Sequence, residues 1–226
     1  MRAALFAVLI FAGLGVLAWA SSGGTGRAHP REAFPKPAMD APLASNKGKE
    51  TAVVAGGCFW GIQGVFKHMK GVSSATSGYA GGAADTAHYE EVSTGTTGHA
   101  ESVRIVFDPS QISYGQILMV FFSVAHNPTE LNRQGPDYGT QYRSSIFYSS
   151  DEQKKIAEAY IAQLDAAKVY SQPIVTKVVP LAGFYTAEGY HQDYLEHHTY
   201  EPYIVINDLP KLSHFKKEYP ELYREH

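Results

Sequence analysis

The sequence predicts an α+β fold: a single domain in which a mixed β-sheet is packed with helices as a two-layer sandwich. Three observations predict it. The chain has 226 residues, 44% of them apolar and 18% charged, enough for one substantial core. Strand-like and helix-like stretches alternate from about residue 50 onward without a regular period. No internal repeat or Rossmann-type glycine fingerprint breaks that alternation.

The first twenty residues stand apart. Arg2 precedes an uncharged apolar run from Ala3 to Ala20 that ends in Ala18-Trp19-Ala20 and is followed by Ser21-Ser22-Gly23-Gly24. This is the pattern of a secretory signal peptide cut after Ala20. An uncleaved membrane anchor through residues 3–20 is the alternative, because the run approaches the roughly 18 residues that suffice to enter a bilayer. Either way the remainder is expected to be exported, to a periplasmic or extracellular compartment. Residues 21–49 carry Pro30, Pro35, Pro37 and Pro42 among Gly, Ser and Ala, and are expected to be a flexible linker to a domain spanning 50–226.

Thr51 to Ala55 reads as a short buried strand, Gly56-Gly57 as a tight turn, and Cys58 onward as a helix with Phe59, Ile62, Val65, Phe66 and Met69 near one face. Val72 to Tyr79 is a second strand. Ala100 to Phe107 is a third, with Ser102 and Arg104 alternating against Val103 and Ile105 until Asp108-Pro109 ends it. Ser113 to Ala125 is a helix. Asn127 to Gln141 holds Asn127-Pro128, Gly135-Pro136 and Tyr138-Gly139, marks of a long ordered loop of the kind that carries function. Ser144 to Tyr148 is a strand, Asp151 caps a helix reaching about Val169, and Ile174 to Val179 is a strand. Ala187 to His197 and Leu209 to Tyr219 are the last helices.

A formal net charge of -3 and a pI of about 6.4 argue against a protein held to nucleic acid or anionic lipid by a basic face. The chain has one cysteine, so no internal disulfide is available even after export. Cys58 stands where a helix begins. Backbone N–H groups there lack internal partners and favour a thiolate, drawing the thiol from about 8.5 toward neutrality. Gly56 and Gly57 leave the approach to the sulfur free of side chains. Phe59 and Trp60 follow it, and as a pair they suggest an apolar wall for a small group such as an S-methyl.

The run Gly56-Gly57-Cys58-Phe59-Trp60-Gly61 resembles the signature of the peptide methionine sulfoxide reductase A family. The likeness continues through Gly78-Tyr79-Ala80-Gly81-Gly82, Tyr89-Glu90-Glu91-Val92, Thr97-Gly98-His99-Ala100-Glu101, Asn127-Pro128-Thr129, the stretch from Arg133 to Ser144, and Ala187-Glu188-Gly189-Tyr190-His191-Gln192-Asp193-Tyr194-Leu195. The resemblance implies a ferredoxin-like sandwich and reduction of the S epimer of methionine sulfoxide, in proteins and as the free amino acid. It implies that Cys58 attacks the sulfoxide sulfur and becomes a sulfenic acid. Glu101 would be the acid, which requires a carboxyl raised above its usual value of about 4.3. Tyr89 and Tyr142 would hydrogen-bond the sulfoxide oxygen, Asp137 would position these groups, and Phe59 and Trp60 would hold the methyl group. No metal or organic cofactor is implied, and a monomer is expected.

The chain departs from the pattern at one place. Many members carry a resolving cysteine in a Pro-Tyr-Cys setting; here Pro202-Tyr203 is followed by Ile204. Cys58 would therefore need an external thiol reductant: a thioredoxin-like protein, a glutaredoxin or glutathione. His191, His197 and His198 match no strong metal-ligand spacing and read as structural or surface residues. A non-catalytic binder of oxidised methionine is the rival reading, against which the intact Cys58 and Glu101 weigh.

Overall fold

Alternation along the first strand sets the two faces of the sheet. In β1 (Glu50–Ala55) Ala52 and Val54 enter the main core, while Val53 and Ala55 join a smaller cluster with Ala80, Ala100 and Phe147 on the opposite face. The computed structural model describes residues 33–225, so the leader reading of residues 1–20 lies outside the described residues.

From β1 the chain enters α1 (Phe59–Lys67), then β2 (Val72–Ala80), the short α2 (Tyr89–Val92) and β3 (Ala100–Phe107). Next come α3 (Tyr114–Val120), which continues as a π-helical turn over Phe121–Ala125, and β6 (Ser145–Tyr148) after a small hairpin of β4 (Arg133–Gln134) and β5 (Asp137–Tyr138). α4 (Asp151–Ala166), β7 (Lys177–Pro180), β8 (Phe184–Thr186), α5 (Tyr194–His197) and α6 (Leu209–Glu218) complete the order. The main sheet runs β7-β6-β1-β3-β2-β8, antiparallel except for the parallel β6–β7 pair. Within it β1-α1-β2-β3-α3-β6, in the spatial order β6-β1-β3-β2, is the split βαβ arrangement expected of a ferredoxin-like sandwich. Residues of α1, α3, α4 and α6 all enter the main core, so the helices form one layer on one face.

Four expectations are corrected. The helix over 151–166 is capped by Ser150, whose Oγ accepts the Gln153 N–H at 3.2 Å; Asp151 is already inside the first turn. The strand expected from Ile174 starts at Lys177, because Ile174 N–H goes to Asp165 and Val175 N–H to the Pro128 carbonyl. The helix expected over 187–197 is broken into a 3-10 turn (Gly189–His191) and α5. Gln192 causes the break: its side-chain amide pairs with both backbone groups of Ser77, and Asp193 follows at φ 57. Finally, residues 34–49 do not behave as a flexible linker. Phe34 packs edge-on against Tyr170, Tyr160 OH donates to the Pro35 carbonyl at 2.6 Å, and Asp40 accepts from Ser113 Oγ and the Gly115 N–H. A few side-chain contacts to remote backbone groups hold a segment whose composition shows no apolar period.

Candidate active site

The site is built at the β1–α1 junction. Gly57 has φ 102, a conformation open chiefly to glycine. A Cβ at Gly56 would lie 2.7 Å from the His126 ring, and one at Gly57 would lie 2.5 Å from the Gln134 side chain. The glycines therefore admit the His126 and Gln134 side chains close against the turn.

Cys58 is the N-cap residue of α1 and is buried, 7% exposed. Two amides of the helix start are divided between two groups: Phe59 N–H donates to Glu101 Oε2 at 3.1 Å, and Trp60 N–H faces the cysteine. The helix start does not win. Burial, then the charges of Glu101 and Asp208, push the Cys58 thiol well above its usual value, against the opposing pull of the Trp60 N–H and Lys211. The resting sulfur is a thiol, contrary to the thiolate expected from position alone.

Glu101 lies near the start of β3, opposite Tyr79, and is 4% exposed. Burial raises its carboxyl to about 8; the Phe59 N–H opposes this, and Asp137 and Asp208 add to it. At neutral pH Glu101 holds a proton, which is the state required of an acid. Tyr89 at the start of α2 and Tyr142 at the end of a 3-10 turn (Thr140–Tyr142) are raised by burial and then by the charge of Glu101, with Cys58 and Asp137 also acting on both. Both phenols stay protonated donors. Asp137 on β5 accepts from Tyr203 OH at 2.5 Å, and its carboxyl is raised by burial despite that bond. The structure thus brings Cys58, Glu101, Tyr89, Tyr142 and Asp137 into mutual electrostatic reach.

The two aromatics after Cys58 separate. Phe59 is in the core, its ring 5.9 Å from Tyr79 and 5.1 Å from His191. Trp60 is half-buried, stacked on Tyr194 at 3.8 Å with Tyr203 edge-on at 6.0 Å, and its Nε1–H donates to His191 Nδ1 at 3.3 Å. That bond places the neutral His191 proton on Nε2. His198 is stacked on Tyr194 and reaches its carbonyl, and His197 is exposed. A small cavity of about 80 Å³ opens at Cys58, walled by the Gln134–Asp137 turn, Tyr203, Asn207 and Lys211.

Sequence reasoning missed Tyr203 and the Asp208–Lys211 pair. The signal lay next to the departure already noted, since Tyr203 directly precedes Ile204, and Asp208 stands three residues before Lys211 around Pro210. His126 and Gln134 left no local signal, because their contacts with the nucleophile turn are remote in sequence.

A sulfur nucleophile and a protonated carboxyl that share one helix start, faced by phenols that stay protonated, suit attack on an atom whose oxygen must gain a proton. Such a site defines a cysteine-dependent oxidoreductase. The family model for peptide methionine sulfoxide reductase matches residues 50–223, and the chain belongs to that family. It is 63% identical over 178 residues to peptide methionine sulfoxide reductase MsrA 2 of Mesorhizobium japonicum, covering 79% of this chain and 91% of that one. A Synechocystis sp. protein of the same description is 48% identical over 190 residues, covering 83% of this chain and 89% of its own. The fold is similar to that of reduced Mxr1 from Saccharomyces cerevisiae, with TM-score 0.63 and 30% identity over 73% of this chain and 92% of that one. Methionine sulfoxide reductase A of Corynebacterium diphtheriae gives TM-score 0.59 and 33% identity over 78% and 94%.

Proposed function

We propose that the chain restores methionine from the S epimer of methionine sulfoxide, in oxidised proteins and as the free amino acid, with Cys58 as nucleophile and Glu101 as acid. The observation that carries the reading is the Glu101 carboxyl, protonated at neutral pH and bonded to the amide next to Cys58. Glu101 gives its proton to the sulfoxide oxygen as the Cys58 sulfur attacks, and the thiol proton replaces it on Glu101. Oxygen passes from the methionine sulfur to Cys58, leaving methionine and a sulfenic acid; two electrons move from Cys58 to the methionine sulfur. Tyr89 and Tyr142 bond the oxygen as its basicity rises, so they stabilise the transition state more than the ground state. Asp137, fixed by Tyr203, orients the wall beside the sulfur, and Trp60 with Phe59 behind it accommodates the methyl group.

Return to the thiol falls to an external thiol reductant, thioredoxin-like protein, glutaredoxin or glutathione, because the chain has one cysteine. The leader reading supports work on exported proteins, with the domain acting as a monomer. Methionine formed from a methionine S-sulfoxide peptide is the test. With dithiothreitol, wild type turns over and Cys58→Ser gives none. Without it, wild type forms about one methionine per chain and stops. Sustained turnover without a thiol, or activity in Cys58→Ser, overturns the mechanism.

A further inference from the structure

Beside the nucleophile lies an ion pair that this mechanism does not use. Asp208 is fully buried at the end of a π-helical turn (Ile204–Asp208), and its Oδ1 accepts from the Lys211 ammonium at 2.9 Å. Pro210 sits in the first turn of α6 with a fixed φ, and the spacing of three residues puts Asp208 and Lys211 on one face. The pair rests on α1 immediately after the nucleophile: a Cβ at Gly61 would stand 2.1 Å from Asp208 Oδ1 and 2.8 Å from Lys211 Nζ. Lys211 and Cys58 also line the same cavity.

The charges facing Cys58 come from every element around it. Glu101 from β3 and Asp208 oppose an anion there, and Asp137 from β5 acts on those two carboxyls. Tyr89, Tyr142, Tyr194 and Tyr203 face it as protonated phenols. His126 is held neutral by burial, with Lys211 adding to that effect. Among the described residues acting on Cys58, Lys211 is the cation.

We propose that Lys211, tethered by Asp208, is a positioning residue for the reaction, its ammonium supporting the negative charge that Cys58 must carry twice per cycle. The first occasion is attack on the sulfoxide. The second is release from the mixed disulfide. An external thiol reacts with the sulfenic acid, forming an S–S bond as the S–O bond breaks and water leaves. A second thiolate attacks the reductant's sulfur in that mixed disulfide, the reductant departs as its own disulfide, and Cys58 leaves as a thiolate beside Lys211. Two thiols are oxidised and one sulfenic acid is reduced. The inference rests on Cys58 being the nucleophile proposed above.

Alkylation by iodoacetamide reads the ionisation directly, because the chain has a single cysteine, and it does so whether or not the protein reduces sulfoxides. In Lys211→Met the pH midpoint of alkylation should move to the alkaline side by about one unit, whereas Lys211→Arg should keep the wild-type profile. Asp208→Asn keeps the shape and removes the anion, and its midpoint should move the opposite way. Leu212→Ala, which trims packing on the same turn, should lower the melting temperature and leave the profile in place. A Lys211→Met profile that superimposes on wild type overturns the proposal. So does a shift of the same sign in Lys211→Met and Asp208→Asn, which would mark a purely structural pair.

Discussion

Two helices of this domain begin in opposite ways. At α3, Ser113 Oγ accepts the Gln116 N–H at 3.1 Å, Gln116 returns a bond to the Ser113 N–H, and Asp40 takes the Gly115 N–H at 2.7 Å. The start is closed by a capping box and by a carboxylate from residues 34–49. At α1, Cys58 makes no side-chain cap, and the Phe59 amide goes to Glu101 on another strand. A start that serves folding satisfies its amides with its own cap and a neighbouring carboxylate. A start that serves chemistry leaves them to groups whose charge changes.

The difference can be broken most completely at Cys58. Cys58→Ser should abolish methionine formation yet raise the melting temperature, because a serine hydroxyl caps a helix better than a thiol does. Calorimetry beside the activity assay checks both signs. Next comes Glu101→Gln, expected to slow the first turnover about a thousandfold. In wild type that rate should fall as pH rises through about 8, where Glu101 loses its proton, and the glutamine variant should lack this limb. The same shift affects folding. The carboxyl is raised above its usual value of 4.5, so wild-type stability should decline as pH climbs from there through about 8; urea midpoints for Glu101→Gln should be flatter across that window.

A smaller loss, about a hundredfold in the first turnover, is expected of Tyr142→Phe, which removes one of the two donors proposed for the sulfoxide oxygen. An unchanged single-turnover rate would remove Tyr142 from the site. The mildest change sharpens the other half of the comparison. Asp40→Ala should cost about 1 kcal/mol of stability at α3 with turnover unaltered, read by urea unfolding and the same assay.

Much of the framework was legible because its signals are local. The β1–turn–α1 unit shows in a strand run, two glycines and a helical apolar face, and β3 shows in the alternation of Ser102 and Arg104 against Val103 and Ile105. The acid and the phenols came from resemblance, since nothing near Glu101 in the chain announces a buried carboxyl; its burial comes from α1 lying across it. The 34–49 segment, the Gln192 break and the Asp208–Lys211 pair depend on partners far along the sequence, and no periodicity records them. The thiol's ionisation was misjudged for the same reason. Helix-start amides are visible in sequence, whereas the burial that outweighs them, and after it the charges of Glu101 and Asp208, are assembled by the fold.

Ile204 stands where the resemblance leads one to expect a second cysteine, directly after the Tyr203 that bonds Asp137, and it is fully buried. A resolving cysteine would turn the sulfenic acid into an internal disulfide in a unimolecular step, leaving only reduction of that disulfide to an outside thiol. Ile204 offers no such thiol, and its side chain is buried while the next two residues, Val205 and Ile206, are exposed. On the external-thiol return proposed above, both return steps are second order, and under scarce thiol the turnover frequency should track reductant concentration linearly. Repair by this protein is metered by the supply of electrons around it.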